Sequence, residues 1–111
     1  MNQLSKIDFK ELDQMTSEIA EKFFLAKQIK DSDNTELINE KEFIEGYSFE
    51  SFLHKVEEAY NALSDLEKNL INNEFFYQSY SQWWKPLYSK ATFYRYKKEA
   101  MQKFLGAIYD L

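Results

Sequence analysis

The chain has 111 residues, with 14 Lys and Arg against 19 Asp and Glu, a net charge of −5, no Cys and one His. These numbers predict one domain and exclude disulfide frameworks, cysteine zinc sites, thiol catalysis and His-pair metal sites. Two glycines are too few for a phosphate-binding loop, and no apolar run approaches the roughly 18 residues of a membrane span. We therefore expect a cytoplasmic, helical, non-enzymatic protein with no cofactor, no metal and no membrane partner.

The chain as far as Gly46 predicts two helices. Ser5 and Asp8 resemble a capping box that opens the first helix. Its apolar face repeats at helical spacing: Leu12, Met15, Ile19, Phe23 and Ala26. The polar run 31–35 ends this helix, and a shorter one follows over about 37–44, with Gly46 as the expected break.

The middle of the chain predicts two further helices, each with a serine cap. Ser48 precedes a regular apolar stripe: Phe49, Phe52, Leu53, Val56, Ala59, Tyr60 and Leu63. Ser64 and Glu67 form an S-x-x-E capping box, so a new helix is expected to begin there, with Leu66, Leu70 and Ile71 as its apolar residues.

Residues 75–96 hold ten of the chain's twenty aromatic residues. Pro86 lies inside this stretch and allows at most a short helix over 81–85, because proline lacks an N–H and clashes with the preceding turn. Ser89 can cap a final helix from Lys90, and Gly106 is expected to end or fray it. Its expected buried stripe is Phe93, Tyr96 or Lys97, Ala100, Phe104 and Ile108. Such an aromatic cluster is more typical of a core than of a base-stacking platform.

These elements predict an all-α, single-domain bundle of five or six helices with a C-terminal helix-turn-helix. Acidic helices occupy 1–61 and the helix-turn-helix part occupies 62–111. Residues 1–60 contain seven Lys and fourteen Asp and Glu, a net charge of −7. Residues 85–103 contain six basic residues against Glu99 alone, a net charge of +5. That asymmetry indicates either a localised polyanion contact or an ordinary solvated helix surface.

The sequence predicts the order of elements found in a helix-turn-helix: a short helix at 81–85, a turn at 86–88 and a helix from Ser89. In such a motif the second helix enters the major groove of DNA. Lys90, Tyr94 and Lys98 share one face at i, i+4 and i+8, with Ala91 and Arg95 alongside. Arg95 suits a guanine edge and the lysines suit phosphates. Thr92, in the first turn, can hydrogen-bond a phosphate or the backbone.

Residues 62–108 resemble a known family in two segments, Leu63-Ser64-Asp65-Leu66-Glu67 and Tyr88-Ser89-Lys90-Ala91-Thr92-Phe93-Tyr94-Arg95-Tyr96-Lys97-Lys98-Glu99-Ala100. They are similar to the sigma-70 region 4 type of helix-turn-helix, above all to ArpU-type phage transcriptional regulators, and to small families of AT-rich, wall-less bacteria. The resemblance implies a transcription factor that binds double-stranded DNA through a recognition helix at 90–105. The DNA-facing positions it implies are Lys90, Ala91, Tyr94, Arg95 and Lys98. A second subunit or RNA polymerase would be a further partner.

The chain departs from that family at Trp83-Trp84-Lys85-Pro86-Leu87, where the family has an Ile-Ala-x-x-Leu-Gly segment. Two bulky tryptophans and the lack of a turn glycine favour an alternative function. In this alternative the scaffold is a non-enzymatic protein-interaction module that acts through Trp83 and Trp84 and has lost DNA binding.

Overall fold

The computed structural model describes residues 6–31, 48–77 and 79–109. These residues form four α-helices: α1 (Phe9–Asp31), α2 (Phe49–Asn61), α3 (Asp65–Ile71) and α4 (Lys90–Tyr109). Residues Asn72–Phe76 continue α3 as a wider π-helical turn. The described ranges contain no β-strand, so the predicted all-α class is confirmed.

Short polar side chains begin each helix: α2, α3 and α4 have the predicted serine caps, whereas α1 is capped by Asp8, three residues later than the sequence predicts. Ser48 accepts a hydrogen bond from the Ser51 backbone N–H at the start of α2. Ser64 and Glu67 form the complete capping box of α3, with both reciprocal hydrogen bonds present. At α1 the cap is Asp8, which accepts from the Glu11 N–H at 2.8 Å, while the predicted partner Ser5 lies outside the described residues.

The long helix α4 packs against α1, α2 and α3, and one hydrophobic core joins all four helices. The predicted apolar stripe of α4 is buried, with Lys97 rather than Tyr96 at the position that the sequence left open: Phe93, Lys97, Ala100, Phe104 and Ile108. The acidic helices α1 and α2 therefore share a core with the C-terminal part of the chain. Burial of this stripe fixes which side of α4 faces solvent.

Two predicted helix features are wrong. Residues 81–87 form consecutive turns instead of a helix over 81–85, with 80–83, 82–85 and 84–87 closed by backbone hydrogen bonds. Gln82 has a φ of 60°, a left-handed conformation that a right-handed helix cannot contain. Helix α4 continues through Gly106 to Tyr109, because the side chains on either side of this glycine, Leu105 and Ile108, are fully buried. The predicted helix over 37–44 lies outside the described residues.

Candidate nucleic-acid interface

The N-terminal turn of α4 is held by Ser89. Its hydroxyl accepts from the Thr92 backbone N–H at 3.2 Å and donates to the Thr92 hydroxyl oxygen at 2.9 Å. This cap satisfies one of the free N–H groups of the first turn and sets the start of the helix at Lys90. The predicted recognition helix therefore begins where the sequence places it.

Five of the six residues predicted to contact DNA point away from the core. Lys90, Ala91, Tyr94 and Arg95 are exposed, and Lys98 is half-buried at the edge of the same surface. We call Lys90, Arg95 and Lys98 the basic face. Within the described part of the chain, no carboxylate forms an ion pair with any of these three cations. The sixth residue, Thr92, is half-buried and takes part in the cap.

Tyr94 is 41% exposed, and aromatic neighbours hold its ring. Phe9 of α1 lies edge-on to it, with ring centroids 5.4 Å apart, and Trp84 lies 6.3 Å away on the other side. The contact with Phe9 joins α1 to the exposed side of α4. Tyr94 is therefore presented in one orientation next to Arg95 and Lys90.

Two lysines within residues 85–103 pair with carboxylates, so they are not available to a polyanion, although the net charge of this range counts them as free. The ammonium of Lys97 lies 2.7 Å from Glu74 and 3.6 Å from Asp13, and its side chain is only 10% exposed. Lys103 lies 3.1 Å from Glu67. Each of these ion pairs neutralises one lysine of residues 85–103. The remaining positive charge of this range therefore lies nearer the start of α4.

Glu67 is the acid of the described chain whose protonation this arrangement shifts. Burial raises the pKa of its carboxyl, but hydrogen bonds from the Ser64 backbone and from Lys103 outweigh burial and bring the pKa below its ordinary value of 4.5. The capping box and the ion pair to α4 therefore both favour the charged carboxylate.

The two tryptophans proposed for protein interaction do not form an exposed pair. Trp83 is 7% exposed, and its indole N–H donates to Glu74 at 2.8 Å. Trp84 is half-buried and stacks flat on Phe93, with ring centroids 4.4 Å apart. The sequence placed both residues on a contact surface. The structure corrects this for Trp83, which is a core residue because its polar group has a buried partner.

A cleft of about 880 Å³ opens between residues 79–89 and the first turns of α4. Lys85 and Lys90 lie on its walls, together with Tyr80, Trp84 and Tyr94. Tyr80 is 73% exposed, and the Lys85 ammonium lies 3.4 Å from the Gln82 amide oxygen. The cleft therefore extends the basic face with Lys85 and exposed aromatic surface.

A second surface combines exposed and partly buried aromatic side chains, and we call it the aromatic patch: Phe24 and Tyr77 are exposed, and Phe23 and Phe76 are partly buried. Tyr77 is 77% exposed and Phe24 is 40% exposed. The three phenylalanine rings contact one another edge-on, with centroids 5.5 to 6.0 Å apart. Two grooves, of about 290 and 420 Å³, flank Phe76 and Tyr77. Large exposed apolar surfaces of this kind are typical of contact sites.

Comparisons with protein-family models, with curated proteins and with solved structures give no match for this chain. The resemblance to sigma-70 region 4 therefore stays a prediction from the sequence. None of the described helices has the length and apolar character needed to span a membrane. The described ranges also hold no group of three or more side chains suited to a metal ion, and His54 pairs with Glu58 at 2.8 Å.

Sequence reasoning did not single out Glu74, which contacts both Trp83 and Lys97. One signal was present: Lys97 falls on the buried stripe of α4, and a lysine at such a position requires an acidic partner. The partner lies 23 residues earlier in the chain. Its identity followed only from the way α3 and its π-helical turn pack against α4.

Proposed function

We propose that this protein is a non-enzymatic, cytoplasmic regulator of transcription that binds double-stranded DNA through the exposed side of α4. The observation that carries the proposal is the basic face, three cations that form no ion pair with a carboxylate among the described residues: Lys90 in the exposed first turn of α4, Arg95 on the side away from the buried stripe, and Lys98 at the edge of that stripe. In a DNA complex, Arg95 would contact a base edge, and Lys90 and Lys98 would contact phosphates.

The proposed motif is a variant of the helix-turn-helix. Residues 79–89 take the place of the first helix, and the Trp84 ring stacked on Phe93 packs this segment against α4. Such a segment can support a recognition helix because the support depends on packing and not on its own helical hydrogen bonds. Lys85 in this segment would contact the DNA backbone next to Lys90.

The test is a fluorescence-anisotropy titration of the full chain on random-sequence and genomic DNA duplexes at low salt. Arg95→Ala is expected to lower the affinity by about tenfold or more, the loss of one base contact. Lys90→Ala and Lys98→Ala are expected to lower it by smaller, sequence-independent factors. Lys30→Ala, an exposed lysine in the last turn of α1, is the matched control and leaves the affinity unchanged. Absence of salt-dependent binding by the wild type would refute the proposal.

The aromatic patch favours a second candidate, a protein-interaction module that binds RNA polymerase. This alternative no longer depends on Trp83, and it takes Phe24 and Tyr77 as its contact residues, with Glu21 and Glu57 in the flanking grooves. Those carboxylates suit a partner surface with a basic rim. Binding of purified RNA polymerase that is lost in Tyr77→Ala and kept in Arg95→Ala would support it. Equal binding by both variants would exclude the aromatic patch.

A further inference from the structure

One carboxylate connects the segment before α4 to α4 itself. Glu74 belongs to the π-helical turn and is 19% exposed. Its Oε1 lies 2.7 Å from the Lys97 ammonium on α4, and its Oε2 accepts from the Trp83 indole N–H at 2.8 Å. Each oxygen of Glu74 therefore holds a different element, residues 79–89 through Trp83 and α4 through Lys97.

The position of Lys97 depends on this carboxylate. Its ammonium lies 5.4 Å from the centre of the Phe9 ring and 5.2 Å from that of Phe75, so it is surrounded by apolar groups. The second acid, Asp13, is more distant at 3.6 Å and more exposed. A lysine ammonium is stable in such surroundings only when it is paired and hydrogen-bonded. Glu74 provides the short hydrogen bond.

Lys97 and Trp83 of this network are buried behind the basic face, and Glu74 lines the inner part of the cleft that Lys85 and Lys90 also line. Lys97 and Arg95 are two residues apart, which puts them about 200° apart around the helix, on nearly opposite sides. One turn earlier, Phe93 packs edge-on against Trp83, with ring centroids 6.0 Å apart. Glu74 thus fixes the angle and distance between residues 79–89 and the first turns of α4, where Lys85 and Lys90 line one cleft.

We infer that Glu74 is a positioning residue for DNA contact, acting through Trp83 and Lys97 without touching the nucleic acid. It fixes the position of Lys85, on the segment before α4, relative to the basic face of α4. This inference rests on the proposed function. Removing a negative charge from a DNA-binding protein ordinarily strengthens DNA binding. This inference predicts the opposite, that loss of the Glu74 charge weakens it.

The test compares Glu74→Gln with Glu67→Gln in the full chain, by DNA titration at constant salt. Each variant removes one carboxylate that pairs with a lysine of α4, and Gln at position 67 retains the capping box. Glu67→Gln is expected to bind DNA as tightly as the wild type or slightly more tightly. Glu74→Gln is expected to bind about tenfold more weakly, the loss of one well-aligned contact. Equal or tighter binding by Glu74→Gln would overturn the inference.

A second measurement is independent of DNA. Trp83→Phe assigns the two indole N–H resonances in a ¹H–¹⁵N spectrum, and the Trp83 resonance is expected to shift and to exchange faster with solvent in Glu74→Gln but not in Glu67→Gln. Trp83→Phe keeps an aromatic ring at this position but is smaller and loses the hydrogen bond to Glu74, so its DNA affinity is expected to fall in the same direction as in Glu74→Gln. In Glu74→Ala, which has no side-chain acceptor at position 74, an unchanged Trp83 resonance would overturn the inference.

Failure of the proposed function gives a different result. In that case the wild type and both glutamine variants all lack salt-dependent binding. The indole resonance then still decides whether Glu74 holds residues 79–89 against α4, and its role in DNA contact falls with the proposed function.

Discussion

The salt dependence of DNA binding is the most quantitative consequence of the ion pairs on α4. The logarithm of affinity falls with the logarithm of salt concentration, by about 0.9 for each phosphate contacted. The sequence offers six cations between residues 85 and 103, which would allow a slope of about −5.4 for each bound protomer. The structure pairs Lys97 with Glu74 and Lys103 with Glu67, which leaves four cations and a slope no steeper than about −3.6.

The two slopes are easily distinguished. Between 50 and 200 mM salt, the shallower slope corresponds to an affinity loss of about 150-fold and the steeper one to about 2,000-fold. Lys98→Ala is expected to reduce the slope by about 0.9, whereas Lys103→Ala, on the same helix, leaves it unchanged. Anisotropy titrations at five salt concentrations measure both variants. A slope near −5.4, or equal changes in the two variants, would refute the assignment of Lys103 to Glu67.

Three further predictions concern stability. Gln82→Gly is expected to raise the free energy of unfolding by about 0.5 kcal/mol in urea denaturation, because glycine adopts the left-handed conformation without steric strain, at the cost of chain entropy. A decrease of about 1 kcal/mol would instead indicate a helix over 81–85. Because the pKa of Glu67 is lowered by folding, its contribution to stability is present above the unfolded pKa and is lost as pH falls through the folded one. Glu67→Gln should therefore flatten the pH dependence of stability below pH 4.5, and an unchanged acid transition would contradict the shift. Phe104→Ala, at a fully buried ring, should cost about 3–5 kcal/mol by chemical denaturation. A cost below about 1 kcal/mol would mean that the core is not centred on α4.

The features predicted correctly from the sequence are those that depend on neighbouring residues. Ser48, Ser64 and Ser89 each accept a hydrogen bond from the backbone N–H three positions later, so a serine placed just before a helical apolar stripe was enough to find each cap. The buried stripe of α4 likewise follows from helical spacing alone. The exposure of Ala91 and Arg95 follows from the same stripe, whereas Lys90 is exposed because it lies in the first turn of α4.

The features predicted incorrectly depend on contacts between distant residues. The segment at 81–87 has no local signal for a left-handed Gln82, and its conformation follows from the burial of Trp83 against Glu74 and Phe93. Lys97 was assigned to the charged segment because charge counting treats every lysine as solvated. Tertiary packing placed it among aromatic rings with Glu74 as its acidic partner; helical spacing in residues 85–103 indicates that Lys97 can be buried, but it does not identify the partner.

The distribution of charge also constrains how the proposed DNA complex would assemble. Four cations, three exposed and Lys98 half-buried, provide few phosphate contacts for one protomer, while the first sixty residues, which include α1 and nearly all of α2, carry a net charge of −7 and would be repelled by DNA at low salt. A second protomer on the same duplex doubles the number of phosphate contacts, and the slope for the whole complex would then approach about −7. Sedimentation of the protein with a short duplex measures the stoichiometry. A one-to-one complex with the steep slope would be incompatible with the ion pairs on α4, whereas a two-to-one complex with that slope would indicate that DNA binding depends on the second subunit.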